Sequence, residues 1–329
     1  MHRPLKPSCP QRLPLDRLCT PSRSRAWEEA IDWTTPIDRS RRFYCDTLTP
    51  LYYTRVYAEL GDAHRLRYNQ LTGLYSNELI GFLETFVLGR TLDALIERTD
   101  LDLPEALTAA LRGFRHDEQG HADQWRRLNR LSEPEWYAGC DYRILAVGRA
   151  AKAAASFVAG HPVAFPLMFW FQLVQEERSV DISRRIAAAA GDLEPRYVAV
   201  YRGHLRDEIR HVHIDWHLID HLFARRRVLW RRLNARLFRQ IVGTLFLAPA
   251  AATTRIVRRL VREFPELRPI EARTIDELAT LGTSEAYCSM MYSRETTPIT
   301  FALFDRYPEF HPMREPLKSY HPRLLRREA

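Results

Sequence analysis

Two short segments of this 329-residue chain carry the same pair of chemically active side chains at the same spacing. Glu118 and His121 flank Gln-Gly, and Glu208 and His211 flank Ile-Arg. On a helix, a spacing of three puts both side chains on one face, about 60° apart. One such pair is weak evidence, because Glu and His are common on solvated faces. Two pairs on separate helices, each preceded by a helix that bears glutamates, describe a centre for two metal ions. Carboxylates bridge the ions and offset their charge, while imidazoles terminate each ion and leave positions open for dioxygen. His204 lies four residues before Glu208 and seven before His211, so the three fall within about 60° of arc. The chemistry expected is that of two Fe ions with dioxygen as co-substrate.

The lone glutamates are less determined. Glu78 and Glu84 compete before the first pair, and at six residues apart they sit roughly 120° around a helix, so they do not both face one site. Glu176 and Glu177 compete before the second pair, and periodicity leaves both choices open. The order Glu, ExxH, Glu, ExxH is that of ferritin-like di-iron proteins.

Such ligands need rigid helices to hold them. Main helices are expected at about Ala63 to Leu88, Pro104 to Leu131, Pro166 to Ala190 and Pro195 to Ala224, three of them opening on a proline suited to a first turn. A weaker helix is expected at Tyr142 to Ala159, with further segments at 227–246, 251–263 and 274–291. Residues 34–60, rich in aromatics and turn signals, read as irregular. A short helix is expected after Ser24, with Trp27, Ala30 and Ile31 on one side. The fold class is therefore all-α, a ferritin-like four-helix bundle with additional flanking helices and irregular termini. Residues 1–24 read as a mobile arm, 25–306 as the bundle domain, and 307–329 as a Pro-rich tail wrapping over the surface.

Composition narrows the alternatives. At 46% hydrophobic the chain can bury a substantial core. Its 13 glycines and the lack of a GxGxxG, P-loop or GxSxG motif argue against nucleotide-binding and serine-hydrolase folds. The five cysteines form no CxxC pair, which fits a reducing cytoplasm better than a disulfide framework. No apolar run is long enough to span a bilayer. The net charge of +8 gathers partly at Arg225, Arg226, Arg227, Arg231, Arg232, Arg236 and Arg239. That run reads as a solvated helix face, with docking of an acidic partner as the alternative. No groove-reading motif accompanies it, so nucleic acid is not expected.

The sequence also resembles a known family, the p-aminobenzoate N-oxygenases, over about residues 65 to 225. The segment His204-Leu-Arg-Asp-Glu208-Ile-Arg-His211 is similar to that family's HxxDExxH-type motif. Asp117-Glu118-Gln-Gly-His121 resembles its first acidic-His segment, and Asn77-Glu78 followed by Glu84 resembles its Asn-Glu with a second glutamate six further on. Counting back from His204, Glu177 stands at the family's spacing of 27, and Glu194-Pro195 falls where Gln-Pro is expected. The resemblance implies the ligand set Glu84, Glu118, His121, Glu177, His204, Glu208 and His211. It implies a di-iron monooxygenase that oxidises a small amine. An external electron donor (a ferredoxin or reductase) is expected as a partner, and a homodimer is the default for such bundles. A C–H hydroxylase or desaturase acting on an amino-acid-like or carrier-bound substrate is the alternative, and iron storage is a third. His204 argues against a desaturase, and the long flanking segments argue against a storage cage.

Two further features are expected to be structural. His213, His217 and His221 lie on one stripe that points away from His211, which suits packing or surface. The run Phe165 to Phe171 suits the core, with Phe169, Leu173, Phe82 and Leu88 as candidates to line a substrate pocket.

Overall fold

The computed structural model describes residues 10–19, 31–243 and 250–323. The segment around Trp27 lies outside them. Helices make up the fold: α1 (Leu15–Leu18), α2 (Val56–Glu59), α3 (Asp62–Leu83), α4 (Gly89–Ile96), α5 (Glu105–Ser132), α6 (Arg149–Ala159), α7 (Leu167–Ala188), α8 (Pro195–Leu218), α9 (Val228–Ile241), α10 (Ala250–Glu263), α11 (Glu271–Ala279), α12 (Glu285–Met291) and α13 (Pro298–Arg306). Among the described residues the only β pairing is an isolated bridge between Arg42 and Leu193. No helix there is long and apolar enough to cross a membrane. The protein is all-α, a ferritin-like bundle of α3, α5, α7 and α8, with α3 packed on α5, α5 on α8, and α7 on α8.

Local chemistry explains the helix ends. Pro195 opens α8, where its missing N–H costs nothing, and the Glu194 carboxylate accepts from Arg196 N at 2.7 Å and Tyr197 N at 3.0 Å. Asn234 of α9 accepts from Leu167 N and so covers the start of α7. From Leu167 to Val174, α7 is buried on every side, as a central helix must be. Gly73 lets α3 pass close to Phe43: a Cβ there would lie 2.9 Å from the Phe43 Cβ, beneath the stacked Phe43 and Tyr197 rings.

Two π-helical turns interrupt the bundle helices, at Glu84–Leu88 and Ile219–Phe223. The first continues α3 into α4 and begins on Glu84. Such turns widen a helix by one residue and concentrate at functional sites.

Several expected boundaries differ. Residues 142–148 are not helical, because the backbone N–H groups of Arg143, Ile144 and Leu145 are given to the Glu78 carboxylate. The segment expected at 274–291 is split into α11 and α12 by a 3₁₀ turn at Leu281–Thr283, after which Ser284 caps α12. Residues 10–19, expected in a mobile arm, are packed on the bundle, with Leu18 2% exposed. The histidine stripe holds them: Leu13 N donates to His213 Nδ1, His217 Nε2 donates to Leu13 O, and Arg12 pairs with Asp220. The tail is also more than a surface wrap. Phe310, Met313, Leu317 and Tyr320 join the core, where Trp170 packs against Phe304 and Phe310.

Candidate metal centre

The bundle draws the chemically active side chains together at its middle. Glu84, His121 and His204 form one group, and Glu118, Glu208 and His211 a second, the ligand atoms of each lying within 4.8 Å of one another. All are buried. His204 Nε2 is 3.1 Å from Glu84 Oε1 and 2.9 Å from Glu208 Oε1. His121 Nδ1 is 3.5 Å from one oxygen of Glu118 and from one of Glu208. His211 Nδ1 is 3.3 Å from Glu118 Oε1 and 3.4 Å from Glu208 Oε2. Glu118 and Glu208 thus each face the imidazoles of both groups.

Glu177, expected in this set, is engaged by the backbone of α13, and Glu176 is the one of the two that approaches the cluster. Glu177 accepts from Ile299 N at 2.7 Å and Thr300 N at 2.6 Å, at the first turn of α13. Glu176 Oε2 is 3.9 Å from His211 Nδ1, and its side chain borders the same cavity as Glu84 and His204. Neighbours on a helix point about 100° apart, so only one of them can face the centre. Of the other pair, Glu84 is at the cluster. Glu78 is buried away from it, accepting from the Tyr137 hydroxyl at 2.6 Å and from the backbone of 143–145.

Asp117 and Asp207, each written just before a ligand glutamate, reach across to the opposite helix. His211 Nε2 faces Asp117 Oδ2 at 3.3 Å, and His121 Nε2 faces Asp207 Oδ2 at 3.3 Å. Arg210 pairs with both aspartates. Each Nε2–H donated to an aspartate fixes the tautomer that leaves Nδ1 as the ligand atom, and makes it more basic. The signal was present in the sequence: Asp-Glu-x-x-His occurs in both motifs. On the other side Ser179 Oγ is 3.4 Å from His204 Nδ1, and Trp125 Nε1 donates to Glu84 Oε1 at 3.0 Å. Phe114 stacks on the His211 ring at 3.7 Å.

The protein alone does not satisfy this cluster. Glu84 Oε2, both oxygens of Glu118 and of Glu208, and Nδ1 of His121 and of His211 are buried without a hydrogen-bond partner. Such atoms are costly unless a ligand completes them. Burial pushes the Glu84 carboxyl well above its usual range, and Glu118 adds to the push. Burial pulls the His204 imidazole well below its usual value, helped by His121 and His211. At His211 burial also pulls down, but Glu208, Asp117 and Glu118 outweigh it and hold the imidazolium up to about 10. These are the marks of a cluster short of positive charge. Glu84, Glu118, Glu176 and Glu208 carry four negative charges when ionised, which two divalent ions would balance. Mixed carboxylate and imidazole donors suit iron.

A cavity of about 160 Å³ opens on Glu84, Glu176 and His204. Leu88 lines it, whereas Phe82, Phe169 and Leu173 are packed into the core.

Comparison with known proteins agrees with this geometry. No curated protein matches the chain. The sequence model of a family described as P-aminobenzoate N-oxygenase AurF matches residues 11–277, extending the resemblance beyond the bundle to most of the N-terminal segment that docks on it. The chain therefore belongs to the p-aminobenzoate N-oxygenase family.

Proposed function

We propose that this protein is a di-iron oxygenase that uses dioxygen to oxidise the amino group of a small aromatic amine. The observation that carries the reading is the pair of buried ligand groups whose unpartnered oxygens and nitrogens converge beside a cavity. Glu84, His121, His204, Glu118, Glu208 and His211, with Glu176 beside them, would together hold the two irons. Two irons held there would supply the redox chemistry that activates dioxygen. The remaining roles belong to the chain. Asp117 and Asp207 keep two imidazoles in the ligating tautomer. Leu79, Ile80, Leu83, Leu88, Ile182 and Ile256 give the cavity an apolar wall beside the reacting atoms.

The cavity favours a compact substrate. A void of about 150 Å³ holds a benzene molecule, so this one suits a single six-membered ring better than a long acyl chain. That observation supports amine oxidation over desaturation of a fatty acyl group. Electrons would come from an external donor, a ferredoxin or a reductase.

The test is elemental analysis of protein purified with iron, followed by exposure of the reduced form to oxygen with p-aminobenzoate. Two irons per chain and conversion of the amine to a hydroxylamine, nitroso or nitro product are expected. One metal or none would sink the reading. Two irons with oxygen consumed but only ring or side-chain hydroxylation would move the reaction to C–H oxidation.

A further inference from the structure

Helix α9 turns apolar side chains to the solvent. Of the eight large hydrophobic residues exposed among the described residues, five stand on this one helix: Val228, Leu229, Trp230, Leu233 and Leu237. Exposed hydrophobes scattered singly need no explanation, but a contiguous set does. Leu229, 79% exposed, falls with Leu233 and Leu237 within about 80° of arc, and Trp230 lies just beyond them. Arg232, Arg236 and Arg239 flank this stripe on the other side. The helix cannot roll its leucines inward, because the opposite face is already committed. Asn234 accepts from Leu167 N, and Phe238 packs on Phe304 and Phe310. The charge beside the stripe is largely unspent. Arg231 pairs with Glu309 and Arg239 with Glu315. Arg225, Arg226, Arg227, Arg232 and Arg236 form no ion pair among the described residues.

We propose that α9 docks the protein on an anionic lipid surface. The helix lies in the plane of that surface, with Leu229, Leu233, Leu237 and Trp230 at the boundary between headgroups and acyl chains. The unpaired arginines lie among the lipid phosphates, their stems covering apolar surface and their guanidinium groups reaching the charge. An apolar stripe edged by a tryptophan and by arginines complements a surface that is anionic outside and apolar beneath. A second copy of the chain fits the same face poorly. A helix of 14 residues is about 21 Å long and about 10 Å wide, so its outer face offers on the order of 200 Å². A stable dimer needs about 800 Å² from each partner. A two-fold axis through α9 would also set the unpaired arginines of both copies near one another. The proposal does not rest on the oxygenase reading, since none of these side chains belongs to the metal centre or its cavity.

The test is sedimentation of the full-length, iron-loaded protein with lipid vesicles. Vesicles of phosphatidylcholine alone are compared with vesicles containing about 30% phosphatidylglycerol, at about 0.1 M salt. The anionic vesicles should be bound at least about tenfold more tightly than the neutral ones. Leu229→Ser combined with Leu233→Ser should weaken that binding by about tenfold or more. Arg232→Gln combined with Arg236→Gln should weaken it by about ten- to thirtyfold. All four residues are exposed, so both variants should unfold at the wild-type temperature. Arg258→Gln combined with Arg262→Gln, on the exposed side of α10, removes the same net charge elsewhere and should bind within about threefold of wild type. No preference for anionic vesicles overturns the proposal. So does binding that is indifferent to the leucine pair, or that falls as far with the α10 pair as with Arg232 and Arg236, because the attraction is then one of net charge alone. A wild-type dimer in size exclusion that the leucine pair converts to monomer gives the face to a second copy and overturns it as well.

Discussion

Exchanging the roles of two adjacent glutamates is the sharpest test of the site. Glu176 and Glu177 are both 4% exposed, yet one borders the histidine cluster and the other ends on α13. Replacing Glu177 by Ala should damage the fold and spare the metal. It removes the acceptor for two N–H groups at the first turn of a helix, where a lost cap costs about 0.5–2 kcal/mol. Hydrogen bonds to a charged group are worth about 1.5–3 kcal/mol each, but the full sum is not available. Burial pushes the Glu177 carboxyl up to about 7, so desolvation already offsets much of what Thr300 and Ile299 give back. We therefore expect a net cost of about 2 kcal/mol, a fall in Tm of a few degrees for a chain of this size. Two irons per chain should remain. Glu176→Gln should do the reverse. It removes one of four carboxylates that balance two divalent ions, so iron should fall from two toward one per chain at equal loading. Without metal the same change relieves like-charge crowding, and Tm should hold or rise. Elemental analysis and calorimetry on the two variants decide it. The assignment fails if Glu177→Ala is folded but loses iron while Glu176→Gln keeps both ions.

Other expectations follow from the surroundings of the site. Asp117→Asn and Asp207→Asn should each weaken iron binding by about 10–100-fold, measured by competition with a chelator, because each leaves a ligand imidazole without its carboxylate partner. Unchanged affinity would show that the crossed aspartates do not tune the ligands. Gly73→Ala should destabilise the protein by about 1–3 kcal/mol, the usual cost of forcing extra volume into a packed site, since its Cβ would press on Phe43. A neutral effect in denaturant titration would mean that the Phe43 loop yields freely. Glu263 on α10 meets Arg67 at 2.5 Å and also pairs with Arg259; burial raises its carboxyl, but the arginines outweigh it and hold the pKa below the usual range. A depressed carboxylate pKa gives stability that is present above the unfolded value and lost as pH falls through the folded one. Glu263→Gln should thus lower Tm at pH 7, by an amount corresponding to about 1 kcal/mol, and lower it less near pH 3. Equal loss at both pH values would refute the ion-pair account.

How much of this was legible in the sequence depended on how local the cause was. The pairs Glu118/His121 and Glu208/His211, and His204 one turn earlier, share a helix face by the 3.6-residue period alone, so their convergence needed only that the helices form. The four bundle helices were equally visible, because proline starts and apolar periodicity act within a few residues. Glu84 was separable from Glu78 only by resemblance. The structure shows the physical reason for the difference: Glu78 is engaged by backbone N–H groups of residues 143–145, a partner some 65 residues away that also keeps that segment out of a helix.

Tertiary structure decided what depended on distant partners. Whether Glu176 or Glu177 faces the centre turns on how α7 is rotated in the bundle and on α13 arriving over residue 177. The crossed aspartates were written beside each motif, but their partners lie on the opposite helix. The histidine stripe looked idle until residues 10–19 were seen lying on it, and the prolines of the tail suggested surface where the aromatics between them reach the core. Arg178 in sequence is one arginine among many. Only packing reveals that it is buried and borders the cavity. A ligand face is written in local periodicity, whereas a pocket is made by side chains that meet only after the chain has folded.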